Sequence, residues 1–225
     1  MKQHSFFIKG EYLLVALNET YNKGLLEVYA GPMNSGKSLR LIQRLDRLDY
    51  SNVTYKLFKP DVDKRDVAKL FSRLMTKSYL CNLISKEKPE EILNLYDGES
   101  VVAIDEIQFF DVNIWDTLEV LLNKKVNVLV AGLDTDFRGE PFGAMPYLLS
   151  QADLVYKLHA FCDYTNGGKK CGKPARMTQR LENGEPADYN SPIVLPGDVE
   201  EGYGARCREH HFVKNKPPKV IDMIL

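Results

Sequence analysis

Residues 25–38 read Leu-Leu-Glu-Val-Tyr-Ala-Gly-Pro-Met-Asn-Ser-Gly-Lys-Ser, and no other stretch restricts the fold as strongly. The apolar, β-rich run from Leu25 to Ala30 predicts a buried strand. Gly31 follows, then Pro32, Met33, Asn34 and Ser35, then Gly36, Lys37 and Ser38 at the head of a helical pattern. Strand, Gly-rich turn and helix start together define a phosphate-binding loop. Gly31 and Gly36 allow backbone N–H groups to curl around a polyphosphate, and the helix N-terminus adds partial positive charge. Lys37 is the residue to reach the β- and γ-phosphates, and the Ser38 hydroxyl is a candidate Mg²⁺ ligand. A nucleoside triphosphate is therefore the expected ligand, while the loop alone does not name the acceptor.

Downstream, Leu39, Ile42, Leu45 and Leu48 recur at helical spacing. A strand is expected over Val53 to Phe58, stopped by Lys59-Pro60. The charged loop after it holds Asp63 and Arg65, where an open α/β sheet places its ligands. Tyr79 to Ile84 reads as one strand, and Pro89 to Tyr96 as a short helix. Val101 to Ile104 is a buried strand that delivers Asp105 to the metal site, with Glu106 next to it as a candidate base. Trp115 to Leu122 predicts a helix, Val126 to Ala131 a strand, Ala144 to Gln151 a helix and Leu154 to Ala160 a strand. Alternation of strands and helices implies a mainly parallel sheet with helices on both faces.

Three of the four cysteines lie in the last third. Cys162 and Cys171 have eight residues between them, whereas Cys207 and His210 have two. Such a set suits a Cys₃His structural zinc site, with His211 as an alternative to His210. Between the pairs, Ala187 to Ala205 is a long connection without helical period, expected to close over something.

With 225 residues, 44% hydrophobic and 27% charged, the chain suits one large globular domain, or one plus a small appendage. The net charge of −1 gives no basic field for nucleic acid. No apolar run approaches the roughly 20 residues of a membrane helix, and the N-terminus lacks a signal-peptide core. A cytoplasmic protein is expected.

These residues together resemble the thymidine kinases shared by bacteria, some viruses and animal cytosol. The matches run through Gly31 to Ser38, Phe58-Lys59-Pro60 with Asp63 and Arg65, Asp105 to Phe110, and Gly132-Leu133-Asp134. They continue through Pro141-Phe142-Gly143, Thr178 to Leu181 and Cys207 to His211. The resemblance implies a RecA-like phosphate-loop fold that transfers the γ-phosphate of ATP to the 5′-hydroxyl of thymidine or deoxyuridine. It makes Glu106 the base, Asp105 and Ser38 the magnesium residues, and Asp63, Arg65 and Gln108 further residues of the cofactor site. Met33, Leu133, Phe137, Phe142 and Thr178 match residues lining the base pocket. Ala187 to Ala205 looks like the lasso that closes over the nucleoside, with Tyr203 as its tyrosine. Feedback inhibition by dTTP and a homotetramer are also implied. The expected divisions are a leader of no assigned role (1–23), a nucleotide-binding domain (24–160), a zinc-binding lasso domain (161–213) and a tail (214–225). The rival from another class is a nucleic-acid-binding ATPase with a zinc ribbon. A regulatory GTPase is disfavoured because no Asn-Lys-x-Asp is present.

Overall fold

The computed structural model describes residues 23–62, 69–71, 78–193 and 202–218. Its centre is a six-stranded sheet in the order β5-β2-β6-β7-β1-β8. These strands are β1 (Leu26–Ala30), β2 (Tyr55–Pro60), β5 (Asn82–Ile84), β6 (Val101–Ile104), β7 (Asn127–Gly132) and β8 (Leu154–Lys157). Every pairing among them is parallel, with Val28 opposite Val130 and Phe58 opposite Ile104. Strands buried on both faces need largely apolar sequences: β6 is wholly apolar, β7 is so after Asn127, and β1 is interrupted only by Glu27.

Alternate residues of β1 face opposite layers. Leu26, Val28 and Ala30 pack with Ile114, Leu118 and Leu121 of helix α3 (Ile114–Asn123) and with Met145 and Leu148 of α4 (Met145–Gln151). The short helix α2 (Glu91–Leu95) adds Ile92 to this face. Tyr29 belongs to the other face, where α1 (Lys37–Tyr50) buries Leu41, Ile42, Leu45 and Leu48. Burying each of those four side chains stabilises the fold by roughly 1.5–3 kcal/mol. An antiparallel pair, β3 (Lys69–Phe71) and β4 (Ser78–Leu80), sits on the α1 side, where the Tyr79 hydroxyl donates to Asp46 at 2.8 Å.

Three expected strands differ. β2 runs on through Lys59 to Pro60 instead of stopping at Phe58. β6 has already ended opposite Phe58, so Pro60 pairs only with β5, and its missing N–H costs no ladder bond there. The strand expected over Tyr79 to Ile84 breaks at Cys81 into β4 and β5, which join different sheets. The strand expected over Leu154 to Ala160 breaks after Lys157. Ala160 leaves the main sheet as part of β9 (Ala160–Phe161), which pairs with β12 (Pro174–Ala175).

The C-terminal part is built from small antiparallel pieces. β10 (Thr165–Asn166) and β11 (Lys169–Lys170) form a hairpin over Gly167-Gly168. β13 (Met177–Glu182) lies between β14 (Glu185–Pro186) and β15 (Gly202–Arg206).

Candidate active site

The phosphate loop leaves β1 and enters α1 at its expected place. Gly36 is the N-cap of α1 with φ 84, a left-handed conformation that costs other residue types dearly. The Gly36 carbonyl then accepts the Arg40 N–H at 2.9 Å, opening the helix. Lys37 is buried, and its Nζ donates to the Pro32 carbonyl at 2.8 Å across the loop. Burial pushes its ammonium down from the usual lysine range, opposed by Glu106, Asp105 and Asp134. Asn34 tolerates its left-handed φ of 60 as a short polar residue. Among the described residues the buried Ser35 hydroxyl has no hydrogen-bond partner, so the loop holds a polar group that a phosphate oxygen would satisfy.

β6 ends by presenting the acid pair. Asp105 is 4% exposed, and Ser38 Oγ donates to its Oδ2 at 3.0 Å, with Oδ1 at 3.3 Å. Burial and the adjacent Glu106 carboxylate push the Asp105 carboxyl up to about 7, against the Ser38 hydroxyl and Lys37. Adjacent ligands of an octahedral Mg²⁺ lie about 3 Å apart, so the Ser38–Asp105 pair fits that ion. Glu106 has φ 55, left-handed for a residue with a Cβ, at a cost on the order of 1–2 kcal/mol. Strain of that kind gathers at functional sites. Asp63 and Arg65 lie outside the described residues.

Around this centre, Thr178 is 1% exposed and its Oγ1 accepts the Met33 N–H at 3.1 Å. The base-pocket residue expected at position 133 follows β7 directly, and the Leu133 N–H donates to Gln108 Oε1 at 3.0 Å. Phe142 meets Phe109 edge-on, ring centres 5.5 Å apart. Phe137 is packed with Ala187 and Val213, under the guanidinium groups of Arg138 and Arg180. Tyr203 stands on β15 opposite Arg180.

The four expected metal ligands converge. One ligand atom from each of Cys162, Cys171, Cys207 and His210 lies within 4.8 Å of all the others. His210 Nδ1 is 3.4 Å from Cys207 Sγ and 3.7 Å from Cys162 Sγ, and Cys171 Sγ is 4.0 Å from Cys207 Sγ. Tetrahedral zinc with its usual bond lengths spaces its ligands about 3.5–3.8 Å apart, so the donor set fits the ion. Burial alone would raise the Cys162 thiol, but backbone N–H groups of Cys207 and Tyr164 and the His210 ring bring it down to about 6. The long Cys162–Cys171 spacing is taken up by the β10–β11 hairpin, so the two sulfurs still meet. His211 points elsewhere, its Nε2 on the Phe137 carbonyl at 2.8 Å.

Three side chains escaped the sequence reading as site components. Asp134 is buried, pairs with Lys157 of β8, and acts electrostatically on Lys37. Arg180 is fully buried, donating to the Pro192 carbonyl and, at 2.8 Å, to Glu182. Arg138 donates to the Ser191 carbonyl at 3.2 Å. The available signal was weak: Asp134 and Arg180 are charges inside motifs, Arg138 is one in the loop between two motifs, and only burial separates them from solvated ones.

A parallel sheet with a phosphate loop, a buried acid pair at the end of a neighbouring strand and a Cys₃His cluster define a phosphate-loop nucleotide enzyme with an attached metal knuckle. Comparison with known proteins narrows the class. Residues 24–211 match the family model described as thymidine kinase. The chain is 44% identical over 194 residues to a thymidine kinase of Coprothermobacter proteolyticus, covering 86% of this chain and 93% of that one. It is 40% identical over 200 residues to one from Ureaplasma parvum (86% and 85% covered) and 38% over 203 residues to one from Mycoplasmoides gallisepticum (88% and 85%). The chain belongs to the thymidine kinase family.

Proposed function

We propose that this protein phosphorylates thymidine, and deoxyuridine as an alternative, at the 5′-hydroxyl with ATP as donor. The observation that carries the reading is the junction of Lys37, Ser38, Asp105 and Glu106 at one end of the sheet, tied to Thr178 through Met33. In this reading the 5′-oxygen bonds to the γ-phosphorus, the bond from that phosphorus to the β,γ-bridging oxygen breaks, and ADP leaves with those electrons. Glu106 accepts the hydroxyl proton. Lys37 and the backbone of residues 31–38 hold the phosphates, while Ser38 and Asp105 would hold Mg²⁺. The ion supplies charge neutralisation on the β- and γ-oxygens when bound. Asp63 and Arg65 belong to the same reading by resemblance.

Met33, Leu133, Phe137, Phe142, Thr178 and Tyr203 are proposed around the nucleoside, with Phe137 acting through the anchored base of the lasso. Cys162, Cys171, Cys207 and His210 would hold a structural Zn²⁺ that keeps β9, β15 and the lasso ends together. On this basis residues 24–160 form the nucleotide-binding unit and 161–213 the zinc-binding lasso unit. The leader (1–23) has no role assigned, and 214–225 are a tail. Family resemblance supports a cytoplasmic enzyme of nucleotide salvage, a homotetramer and inhibition by dTTP. Among the described residues no helix is long and apolar enough to cross a membrane.

Thermal unfolding separates this reading from a zinc-ribbon ATPase that binds nucleic acid. A ligand held by the folded state raises the melting temperature. Thymidine is expected to raise it and single-stranded DNA to leave it unchanged; the reverse pattern would favour the ATPase.

A further inference from the structure

Gln108 lies on the single 3₁₀ turn after the acid pair, Ile107–Phe109, and its amide is held at both ends. Its Nε2 donates to Glu106 Oε2 at 2.6 Å, and its Oε1 accepts the Leu133 N–H at 3.0 Å. The residue is 1% exposed. Chemistry dictates which way the amide faces. A backbone N–H can only donate, so oxygen must face Leu133, and the NH₂ group is thereby aimed at Glu106.

Two glycines pack closely against Gln108, one against its side chain and one against its backbone. A Cβ on Gly132 would stand 2.6 Å from Gln108 Oε1, and one on Gly143 would stand 1.8 Å from the Gln108 carbonyl oxygen. The Gly143 contact is with backbone, at a positive φ, and excludes a larger residue there, whereas the Gly132 contact is with the end of the Gln108 side chain, which a larger residue would push aside.

We propose that Gln108 is a positioning residue for the base. It clamps Glu106 Oε2 through a charge-assisted hydrogen bond and leaves Glu106 Oε1 to face the acceptor hydroxyl. This rests on Glu106 being the base, and it moves Gln108 out of the ATP-contacting set in which its motif placed it.

Gln108→Glu and Gln108→Met test it in the full chain, each alone and combined with Glu106→Gln. Gln108→Glu can still accept from Leu133 but, ionised, has nothing to donate to Glu106. Gln108→Met removes both bonds at similar length. Steady-state kinetics with ATP, Mg²⁺ and thymidine should show kcat down about 10- to 100-fold for either variant, the cost of a misplaced catalytic group. KM for ATP and for thymidine should stay within about twofold, since no ground-state contact is lost. In the Glu106→Gln background the same substitutions should cost less than about threefold, because no carboxylate remains to be aimed.

An unchanged kcat in folded Gln108→Glu would overturn the proposal. So would an equal loss in both backgrounds, which marks a merely structural role, or a loss confined to KM for ATP, which returns Gln108 to the cofactor site. If Glu106→Gln itself keeps near-normal turnover, the base assignment fails and takes the proposal with it. A crippled Glu106→Gln beside a fully active Gln108→Glu removes the positioning role alone.

Discussion

The Met33 N–H donates to Thr178 Oγ1 at 3.1 Å, joining residues 145 positions apart in the chain. Met33 belongs to the phosphate loop, and Thr178 to β13, the strand whose partner β15 leads into Cys207. One hydrogen bond thus couples the site expected for the donor to the unit expected to close over the acceptor.

Thr178→Val keeps the shape and deletes the acceptor. Leaving a half-buried N–H unpaired costs about 1–3 kcal/mol, so urea denaturation should show a loss of that size. KM for thymidine should rise several-fold on the order of that same energy, and Thr178→Ser should recover most of both. A neutral Thr178→Val would mean the two units are joined by other contacts.

Removing the metal should act through the lasso. With a strong chelator the protein is expected to release one zinc per chain, melt at lower temperature and bind thymidine more weakly, with ATP binding less affected. Metal analysis followed by calorimetry and titration checks this. A chelated protein with unchanged melting and thymidine affinity would exclude a structural ion at Cys162, Cys171, Cys207 and His210.

Arg180 anchors Pro192, at the start of the segment proposed as the lasso. Its guanidinium is 0% exposed and donates to the Pro192 carbonyl, while stacking on Phe137 at 5.2 Å. Arg180→Met retains the stem and loses the donors. Limited proteolysis is expected to cut within 187–205 several times faster, and KM for thymidine to rise with KM for ATP unchanged. Equal cleavage of variant and wild type would show the lasso is anchored elsewhere.

Glu27 offers a pH test away from the site. It is 2% exposed on β1 and accepts from the Tyr29 hydroxyl, with Arg44 Nε 3.6 Å away. Burial raises its carboxyl above the usual range, against Tyr29 and Arg44. A raised folded-state value means stability is complete below the unfolded value and is lost as pH rises through the folded one. Glu27→Gln, always neutral and still an acceptor for Tyr29, should therefore lose less stability than wild type as pH rises above the ordinary glutamate value of about 4. Parallel stability curves for the two proteins would refute the assignment.

The legible parts of the chain were those whose signal is local. β1, the phosphate loop and α1 declare themselves in 25 consecutive residues, and β6 with Asp105 needs only five. What was not legible depended on partners. Nothing near Cys81 or Leu158 says that the chain changes sheets there, because strand pairing is settled by distant residues. Pro60 read as a stop because a proline normally is one, and only the early end of β6 makes it harmless. Gln108 read, through its motif, as a residue of the cofactor site rather than as a partner of Glu106. Its second contact, Leu133, lies 25 positions further on. Arg180 was visible as a motif residue but not as a buried one, since β13 buries Thr178, Gln179 and Arg180 in succession rather than alternately. The Cys₃His set was found despite its loose first pair, and the hairpin that closes that pair became clear only in three dimensions.

The most direct measurement is transfer of a radiolabelled γ-phosphate from ATP to thymidine, deoxyuridine, deoxycytidine and deoxyguanosine, for wild type and Glu106→Gln. Wild type should label thymidine and deoxyuridine and leave the other two unlabelled, with Glu106→Gln slower by about 10²- to 10⁴-fold. Label released only as inorganic phosphate, with no nucleoside accepting it, would contradict a thymidine-phosphorylating centre at Lys37, Ser38, Asp105 and Glu106.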